Sequence, residues 1–215
     1  MLEILHFLID NIFMERKIIN KLREWKNSSE RMPLILQGAR QIGKTYAVNY
    51  FAGVEYENCV YCNFEKEINL HSVFTDLSPS IIIPKLASIK RCAVVPEKTL
   101  IIFDEVQACP QALSSLKYFC EEAGKYHIIA LGSLLGVAVN RGKNSFPVGK
   151  VQFLNMYPMD FEEFLLACSE NYLLEQIRNC FKTFTPLEDA FHQKALTLYK
   201  EYLFTGGMPR KSIFM

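Results

Sequence analysis

Residues Gly38 to Thr45 read G-A-R-Q-I-G-K-T and directly follow the apolar run Pro33-Leu-Ile-Leu-Gln37. This stretch matches the phosphate-binding pattern G-x-x-x-x-G-K-[ST] at every fixed position. Such a loop wraps an anion with backbone N–H groups, and its two glycines avoid Cβ clashes where the chain passes close to the phosphates. The pattern therefore predicts a strand, a nucleoside triphosphate site, and a helix over about 43–51 whose N-terminus points at the phosphates.

The residue types within this loop predict separate roles. Lys44 would reach the β- and γ-phosphates of ATP, and Thr45 would hold Mg²⁺ through its hydroxyl. The remaining loop residues would also bind the nucleotide: Gly38, Ala39, Arg40, Gln41, Ile42 and Gly43. The alternative is a plain turn between a strand and a helix. The apolar run before the motif and the amphipathic segment after it favour nucleotide binding.

A second apolar run ends in two adjacent carboxylates. Residues 99–107 read T-L-I-I-F-D-E-V-Q. Continuous apolar runs are typical of buried parallel strands, and ligands bind at the carboxyl ends of such strands. Asp104 is therefore predicted to contact the Mg²⁺ shell, and Glu105 to act as general base toward the attacking water. Taken alone, such a pair is more often a solvated strand end, but the phosphate-binding match upstream reverses that preference.

A third strand candidate, His127-Ile-Ile-Ala-Leu131, is followed by Gly132-Ser133. A hydroxyl group at this position could sense the γ-phosphate or orient the attacking water. The residues alone favour an ordinary serine in a glycine-containing turn. Ser133 is nevertheless a candidate catalytic residue beside Lys44 and Glu105.

Strand and helix patterns alternate along the chain. The strand candidates lie at about 33–37, 59–63, 99–103, 127–131 and 151–155. The segments between them have helical patterns, of which Pro110 to Ala123 is the clearest. This alternation predicts an α/β fold with a mostly parallel sheet covered on both faces by helices.

The segment after the last strand candidate has only helical patterns. Asp160-Phe-Glu-Glu163 and Thr185-Pro-Leu-Glu188 both match the capping box that opens a helix. Gly206-Gly207 would end the last helix. Residues 157–205 are therefore predicted to be a small helical subdomain, with one core stripe made of Leu187, Phe191, Ala195, Leu198 and Tyr202.

Eight sequence blocks occur in a characteristic order from about Arg16 to Pro209. They are P-L-I-L-Q-G-A-R-Q-I-G-K-T, N-F-E, L-I-I-F-D-E-V-Q-A-C-P, S-S-L-K-Y-F-C-E-E-A, G-S-L-L-G, F-P-V-G-K-V, Y-P-M-D-F-E-E-F-L and Y-L-F-T-G-G-M-P. Together they resemble prokaryotic AAA-type ATPases, in which a nucleotide domain precedes a C-terminal domain of unknown function.

The resemblance implies roles for several residues. Gly38 to Thr45 would bind nucleotide, Asp104 would serve Mg²⁺, Glu105 would be the catalytic carboxylate and Ser133 a sensor-like residue. Related proteins commonly have Gly-Arg where this chain has Gly149-Lys150. Because lysine lacks the planar fork of arginine, an arginine-finger role does not transfer to Lys150.

The resemblance also sets expectations for the organisation of the chain. Family members generally continue past the G-G-M-P block, whereas this chain ends at Met215, so a fragment without its second domain is expected. The expected divisions are an N-terminal extension at 1–15, a P-loop ATPase core at 16–156 and the helical subdomain at 157–215.

Composition and charge narrow the function classes. With 215 residues, of which 50% are apolar, the chain is long enough for a substantial core. The stretch Leu2 to Ile9 is too short and too charged to span a bilayer, and it lacks the flanks of a signal peptide. A cytoplasmic protein without membrane contact is expected. The net charge of only +1 predicts no strong global attraction to nucleic acid.

One helix could still present a local basic face. Lys17, Lys21, Arg23 and Lys26 lie beside an apolar stripe made of Ile18, Ile19, Leu22 and Trp25. A solvated outer face is the favoured explanation, and contact with DNA is the open alternative.

Cysteines and histidines predict no further site. Cys59 and Cys62 have the spacing of a zinc knuckle, but residues three apart in a strand point to opposite faces, and no second ligand pair exists. The seven cysteines are therefore expected to be reduced thiols. The four scattered histidines support no constellation.

Taken together, these patterns predict a P-loop NTPase three-layer sandwich that binds ATP and Mg²⁺ and hydrolyses ATP. Two alternatives are a nucleotide-operated switch or scaffold with little turnover, and the ATPase partner of a DNA-associated effector domain. A small-molecule kinase would need an arginine-rich lid, and residues 157–205 contain only Arg178. The expected partners are ATP, a second copy of the chain, or the missing C-terminal domain.

Overall fold

The computed structural model describes residues 16–132, 147 and 149–209. The chain divides into two compact units. One spans residues 18–156 and contains a parallel sheet with its helices. In the other, Arg16 and Lys17 join the residues from 157 onward, and its described elements are helices. The predicted N-terminal extension 1–15 lies outside the described residues.

Five parallel strands form the sheet of the first unit, in the order β2-β3-β4-β1-β5. They are β1 Leu34–Gln37, β2 Asn58–Asn63, β3 Thr99–Asp104, β4 His127–Gly132 and β5 Gln152–Asn155. Every residue of β3 and β4 is buried, which explains why these strands are continuous apolar runs rather than alternating ones. The predicted α/β fold with a parallel sheet is confirmed.

The helices of the first unit flank this sheet. They are α1 Ile18–Asn27, α2 Lys44–Glu55, α3 Pro79–Lys90 and α4 Pro110–Glu122, together with 3₁₀ helices at Ile68–Thr75 and Val106–Ala108. Helix α1 buries the predicted stripe of Ile18, Ile19, Leu22 and Trp25.

The polar side of α1 carries part of the predicted basic face. Arg23 and Lys26 both pair with Glu55 on α2, at 2.8 and 3.1 Å. Lys17 belongs to the other unit, where it pairs with Asp160 at 2.6 Å. These acidic partners offset much of the positive charge that could attract a nucleic acid.

Aromatic packing fixes the end of the interior strand β3. The rings of Phe64, Phe74 and Phe103 are mutually edge-to-face, with centroids 5.3 to 5.6 Å apart. All three are fully buried. Edge-to-face contacts add directional stability to the area that aromatic rings bury. Because Phe103 directly precedes Asp104, this cluster holds the carboxyl end of β3 in place.

The second unit contains α5 Phe161–Ala167, α6 Asn171–Thr183 and α7 Asp189–Thr205. The capping box predicted at the start of α5 is confirmed. The Glu163 N–H donates to Asp160 Oδ1 at 2.9 Å, and the Asp160 N–H donates to Glu163 Oε2 at 3.1 Å. Glu163 also forms a buried ion pair with Arg16 at 3.1 Å. Among the described helices, none is long and apolar enough to traverse a bilayer.

The second predicted capping box, Thr185 to Glu188, is wrong. Helix α7 begins only at Asp189, and no side chain caps it. The Thr185 N–H instead donates to Cys180 O at 3.2 Å, and the Thr185 hydroxyl pairs with that of Thr183 at 2.7 Å. These bonds close the end of α6, so the segment serves as a helix connection.

The predicted core stripe of α7 lies against the other two helices of this unit but is only half-buried. Phe191, Ala195 and Leu198 pack on buried leucines of α5 and α6, while Leu198 and Tyr202 pack around Phe164. Leu187 precedes the helix. As predicted, α7 ends at the glycine pair, where Gly206 is left-handed and its N–H donates to Tyr202 O at 2.9 Å.

Candidate functional site

Residues 38–43 connect β1 to α2, and the connection turns at two left-handed residues. Gln41 has φ of +63° and Gly43 has φ of +92°. A left-handed conformation costs glycine nothing, so Gly43 lets the chain enter α2 directly after the turn. The N-cap residue of α2 is Gly43, which has no side chain to cap the first-turn N–H groups of the helix.

Gly38 is required by close packing within the chain. A Cβ atom at this position would lie 2.3 Å from Met156 O and 2.6 Å from Ile42 Cδ1. Strand β5 runs beside β1 with Asn155 opposite Gln37, which brings Met156 against the next residue of the loop. A Cβ at Gly38 would therefore clash with the backbone of the protein itself, which is a second reason for glycine beside the close phosphate approach that the pattern predicts.

The Lys44 ammonium lies over the loop. It donates to Gly38 O at 2.8 Å and to Ala39 O at 2.7 Å. Burial lowers the pKa of Lys44, and the negative charges of Glu105 and Asp104 act in the opposite direction. The structure thus places a cation from the loop in the field of the two predicted carboxylates.

Thr45 and Asp104 meet, although they are distant in the sequence. The Thr45 hydroxyl donates to Asp104 Oδ2 at 3.1 Å. The other carboxylate oxygen of Asp104 accepts the Glu105 N–H at 2.9 Å. Asp104 is only 5% exposed and Thr45 is half-buried, so the two residues predicted to serve Mg²⁺ share a partly buried, oxygen-rich corner.

Sequence reasoning missed two residues of this corner, Tyr61 and Asn63 on β2. The Tyr61 hydroxyl donates to Asp104 Oδ2, and Asn63 Nδ2 donates to the Tyr61 oxygen at 3.3 Å. Asn63 lies directly opposite Asp104 in the sheet register. The available signal was the spacing of two in β2, which puts both polar residues on one face near the carboxyl end of a parallel strand.

Glu105 leaves the strand in a left-handed conformation, with φ of +50°. A non-glycine residue in this region carries about 1 kcal/mol or more of strain. The side-chain amide of Gln107 donates to Glu105 Oε2, a contact that the sequence did not predict. Glu105 directly follows Asp104 and is half-buried, so part of its surface is accessible.

The sequence analysis also named Ser133 and Lys150. Ser133 lies outside the described residues. Lys150 pairs with Glu121 on α4 at 3.0 Å. This ion pair gives Lys150 a partner within the fold and supports no arginine-finger role.

Comparisons with known proteins bear on the family and the fold of the chain. A family model described as an AAA domain matches residues 30–165, more than half of the chain. No curated protein matches the chain.

Several solved structures share the fold. A Walker-type ATPase of Pyrococcus abyssi aligns with a TM-score of 0.54 and 16% identity, covering 92% of this chain and 65% of that protein. Drosophila ORC bound to DNA aligns with a TM-score of 0.54 and 17% identity over 98% of this chain and 61% of that one. The ORC2 protein of Aeropyrum pernix in its ADP form aligns with a TM-score of 0.51 and 14% identity, covering 91% and 60%. This chain thus spans less than two thirds of these proteins.

Proposed function

The chain belongs to the AAA domain family, whose members are nucleotide-binding ATPases. We propose that it binds ATP with Mg²⁺ at Gly38–Thr45 and hydrolyses the ATP. One observation carries the proposal. Thr45, in the first turn of α2, donates a hydrogen bond to Asp104 at the end of β3, and the negative charges of Asp104 and Glu105 act on Lys44, although the two pairs of residues are far apart in the sequence.

The loop provides the phosphate site. The first turn of α2 presents backbone N–H groups, which bind anions at a helix N-terminus. Lys44 already lies over the loop, where its ammonium bonds two carbonyl groups, Gly38 O and Ala39 O. When ATP binds, the Lys44 ammonium would exchange these neutral acceptors for phosphate oxygens, which are stronger acceptors because they are charged.

The Thr45 hydroxyl and the Asp104 carboxylate form the metal-binding part of the site. Both present oxygen atoms, the ligand type that Mg²⁺ prefers. Thr45 and Asp104 would hold Mg²⁺, which would supply positive charge to neutralise the negative charge that develops during phosphoryl transfer. The Thr45 hydroxyl donates a hydrogen bond to Asp104, which leaves the lone pairs of the Thr45 oxygen available for a cation.

Glu105 is the proposed general base. It follows Asp104 directly, and its half-buried carboxylate can reach water while remaining tethered by Gln107. General-base catalysis of this kind typically contributes about 10²- to 10⁴-fold in rate. Ser133 remains part of the proposal as the residue that senses the γ-phosphate.

A second candidate function is a nucleotide-operated switch with little turnover. The contact that favours it is the hydrogen bond from Gln107 to Glu105, because it occupies a carboxylate oxygen that would otherwise be available to the attacking water. ATP binding would then be unchanged while hydrolysis is slow. For either function we propose a cytoplasmic protein whose partner is a second copy or a further C-terminal domain. The paired charges of α1 give little support to a partner made of nucleic acid.

Single-turnover hydrolysis beside equilibrium ATP binding tests the proposal. Glu105→Gln keeps size and hydrogen bonding but removes the basic oxygen, so ATP should bind normally while hydrolysis falls about 10²- to 10⁴-fold. Asp104→Asn should instead weaken the Mg²⁺ dependence of the nucleotide complex. Glu122→Gln, an exposed position at the end of α4, is the matched control and should leave both properties unchanged.

Two results would count against parts of the proposal. If the folded wild type binds no ATP, the nucleotide site is refuted. If Glu105→Gln hydrolyses ATP as fast as an active wild type, the base is another residue. A wild type that binds ATP tightly but turns over very slowly supports the switch.

A further inference from the structure

Asp104 Oδ2 accepts two hydroxyl groups from different elements of the sheet unit. One is that of Thr45 at the start of α2, at 3.1 Å, and the other is that of Tyr61 on β2. The proposed function uses only the first. Tyr61 belongs to no recognised nucleotide-binding motif of the sequence.

A turn after β2 fixes the direction of the hydrogen bonds that reach Tyr61. Asn63 Oδ1 accepts the backbone N–H of Glu65 at 3.2 Å and that of Lys66 at 3.0 Å. The oxygen of the Asn63 amide is therefore committed to the turn, and the atom that faces Tyr61 must be the nitrogen. Because nitrogen donates, the Tyr61 oxygen acts there as an acceptor.

This polarity leaves the single Tyr61 proton for Asp104. A chain of donors runs from Asn63 through Tyr61 to Asp104 Oδ2.

Tyr61 restrains the Asp104 carboxylate from β2, whereas Thr45 restrains it from the start of α2. Oδ1 is held by the Glu105 N–H at 2.9 Å, and Oδ2 is held by two hydroxyls. With three donors, the Asp104 side chain is restricted to one orientation. In that orientation Asp104 accepts the hydrogen bond of the Thr45 hydroxyl. This arrangement would leave the lone pairs of the Thr45 oxygen available for a cation.

We propose that Tyr61 is a positioning residue that orients Asp104, and through it Thr45, for Mg²⁺. This inference rests on the proposed nucleotide site and adds a residue to it. Residues that orient metal-binding groups through hydrogen bonds typically change metal affinity about 10- to 100-fold when mutated.

The test is ATP binding measured over a range of Mg²⁺ concentrations and also in EDTA. Tyr61→Phe removes the hydroxyl and keeps the ring. We expect the half-saturating Mg²⁺ concentration to rise about tenfold or more, with ATP affinity in EDTA unchanged. Tyr126→Phe is the matched control, because Tyr126 precedes β4 at the opposite end of the strands, and it should behave as wild type.

A double-mutant cycle with Asp104→Asn makes the test specific. If Tyr61 acts through Asp104, Tyr61→Phe should have almost no further effect on Mg²⁺ dependence in the Asp104→Asn background. Additive effects of the two substitutions would contradict the inference.

The outcomes separate this inference from the proposed function. A wild type that binds no ATP refutes the nucleotide site and the inference with it. A wild type that binds Mg-ATP, together with a Tyr61→Phe variant of unchanged Mg²⁺ dependence, refutes the role of Tyr61 alone. An equal loss of ATP affinity with and without Mg²⁺ would show that the substitution damages the fold, and would likewise overturn the positioning role.

Discussion

Gly38→Ala tests whether the phosphate-loop glycine is fixed by packing inside the protein. The new methyl carbon would lie 2.3 Å from Met156 O, and backbone of this kind cannot move away as a flexible side chain can. Overpacking typically costs about 1–3 kcal/mol, and alanine returns about 0.4–1 kcal/mol through the unfolded state. The expected net destabilisation is about 1–2 kcal/mol. With an m-value of about 2 kcal/mol/M, the urea midpoint should fall by about 0.5–1 M.

Gly53→Ala is the matched control for this prediction. Gly53 lies within α2, and a Cβ there would meet nothing within 4 Å. Alanine in a helix interior should therefore stabilise the protein by about 0.5–1 kcal/mol. The assay is urea unfolding followed by the fluorescence of Trp25, the only tryptophan, which is buried in the same unit. A Gly38→Ala midpoint equal to or above that of wild type would refute the packing argument.

The remaining predictions concern buried ionisable side chains. Burial, followed by two nearby cations, lowers the pKa of His127 to about 4, below the value of about 6.5 expected in the unfolded chain. The unfolded chain thus binds the proton more readily, so stability should be full above pH 6.5 and be lost as pH falls toward 4. Urea midpoints at pH 7.5 and 5 should show this loss, and His127→Gln should reduce it. In the helical unit, Glu163→Gln removes the carboxylate partner of buried Arg16. The free energy of unfolding of this unit should fall by about 3–5 kcal/mol, because a buried charge is left unpaired. Hydrogen exchange of the α5 amides measures this loss. The exposed Glu175→Gln should leave that exchange unchanged, and equal exchange in both variants would contradict a stabilising ion pair.

The sheet was predictable because its central strands are buried on both faces. Runs such as Leu100 to Phe103 have no polar residue to interrupt them, and such runs occur mainly in parallel sheets. The phosphate-loop pattern then fixed the order of strand, loop and helix around residue 38. These local signals depend on composition and spacing, which a single sequence contains in full.

The contacts within the site were less predictable because they join distant segments. Tyr61 lies 43 positions from Asp104, and only the strand order β2-β3 brings them together. The clash at Gly38 likewise depends on β5 lying next to β1. The failed capping box at Thr185 shows the converse, since a correct local pattern was overridden when the preceding helix α6 used the same residues to end.

The central claim is that Gly38–Thr45 bind ATP, and ligand-induced stabilisation tests it most directly. Mg-ATP at about a hundredfold over its Kd should stabilise the protein by about 2.7 kcal/mol. At about 2–4 °C per kcal/mol for a protein of this size, the melting temperature should rise by about 5–11 °C. Lys44→Ala should largely abolish the shift, whereas Lys125→Ala, an exposed lysine just before β4, should retain it. A correctly folded wild type whose melting temperature does not respond to Mg-ATP would contradict the account.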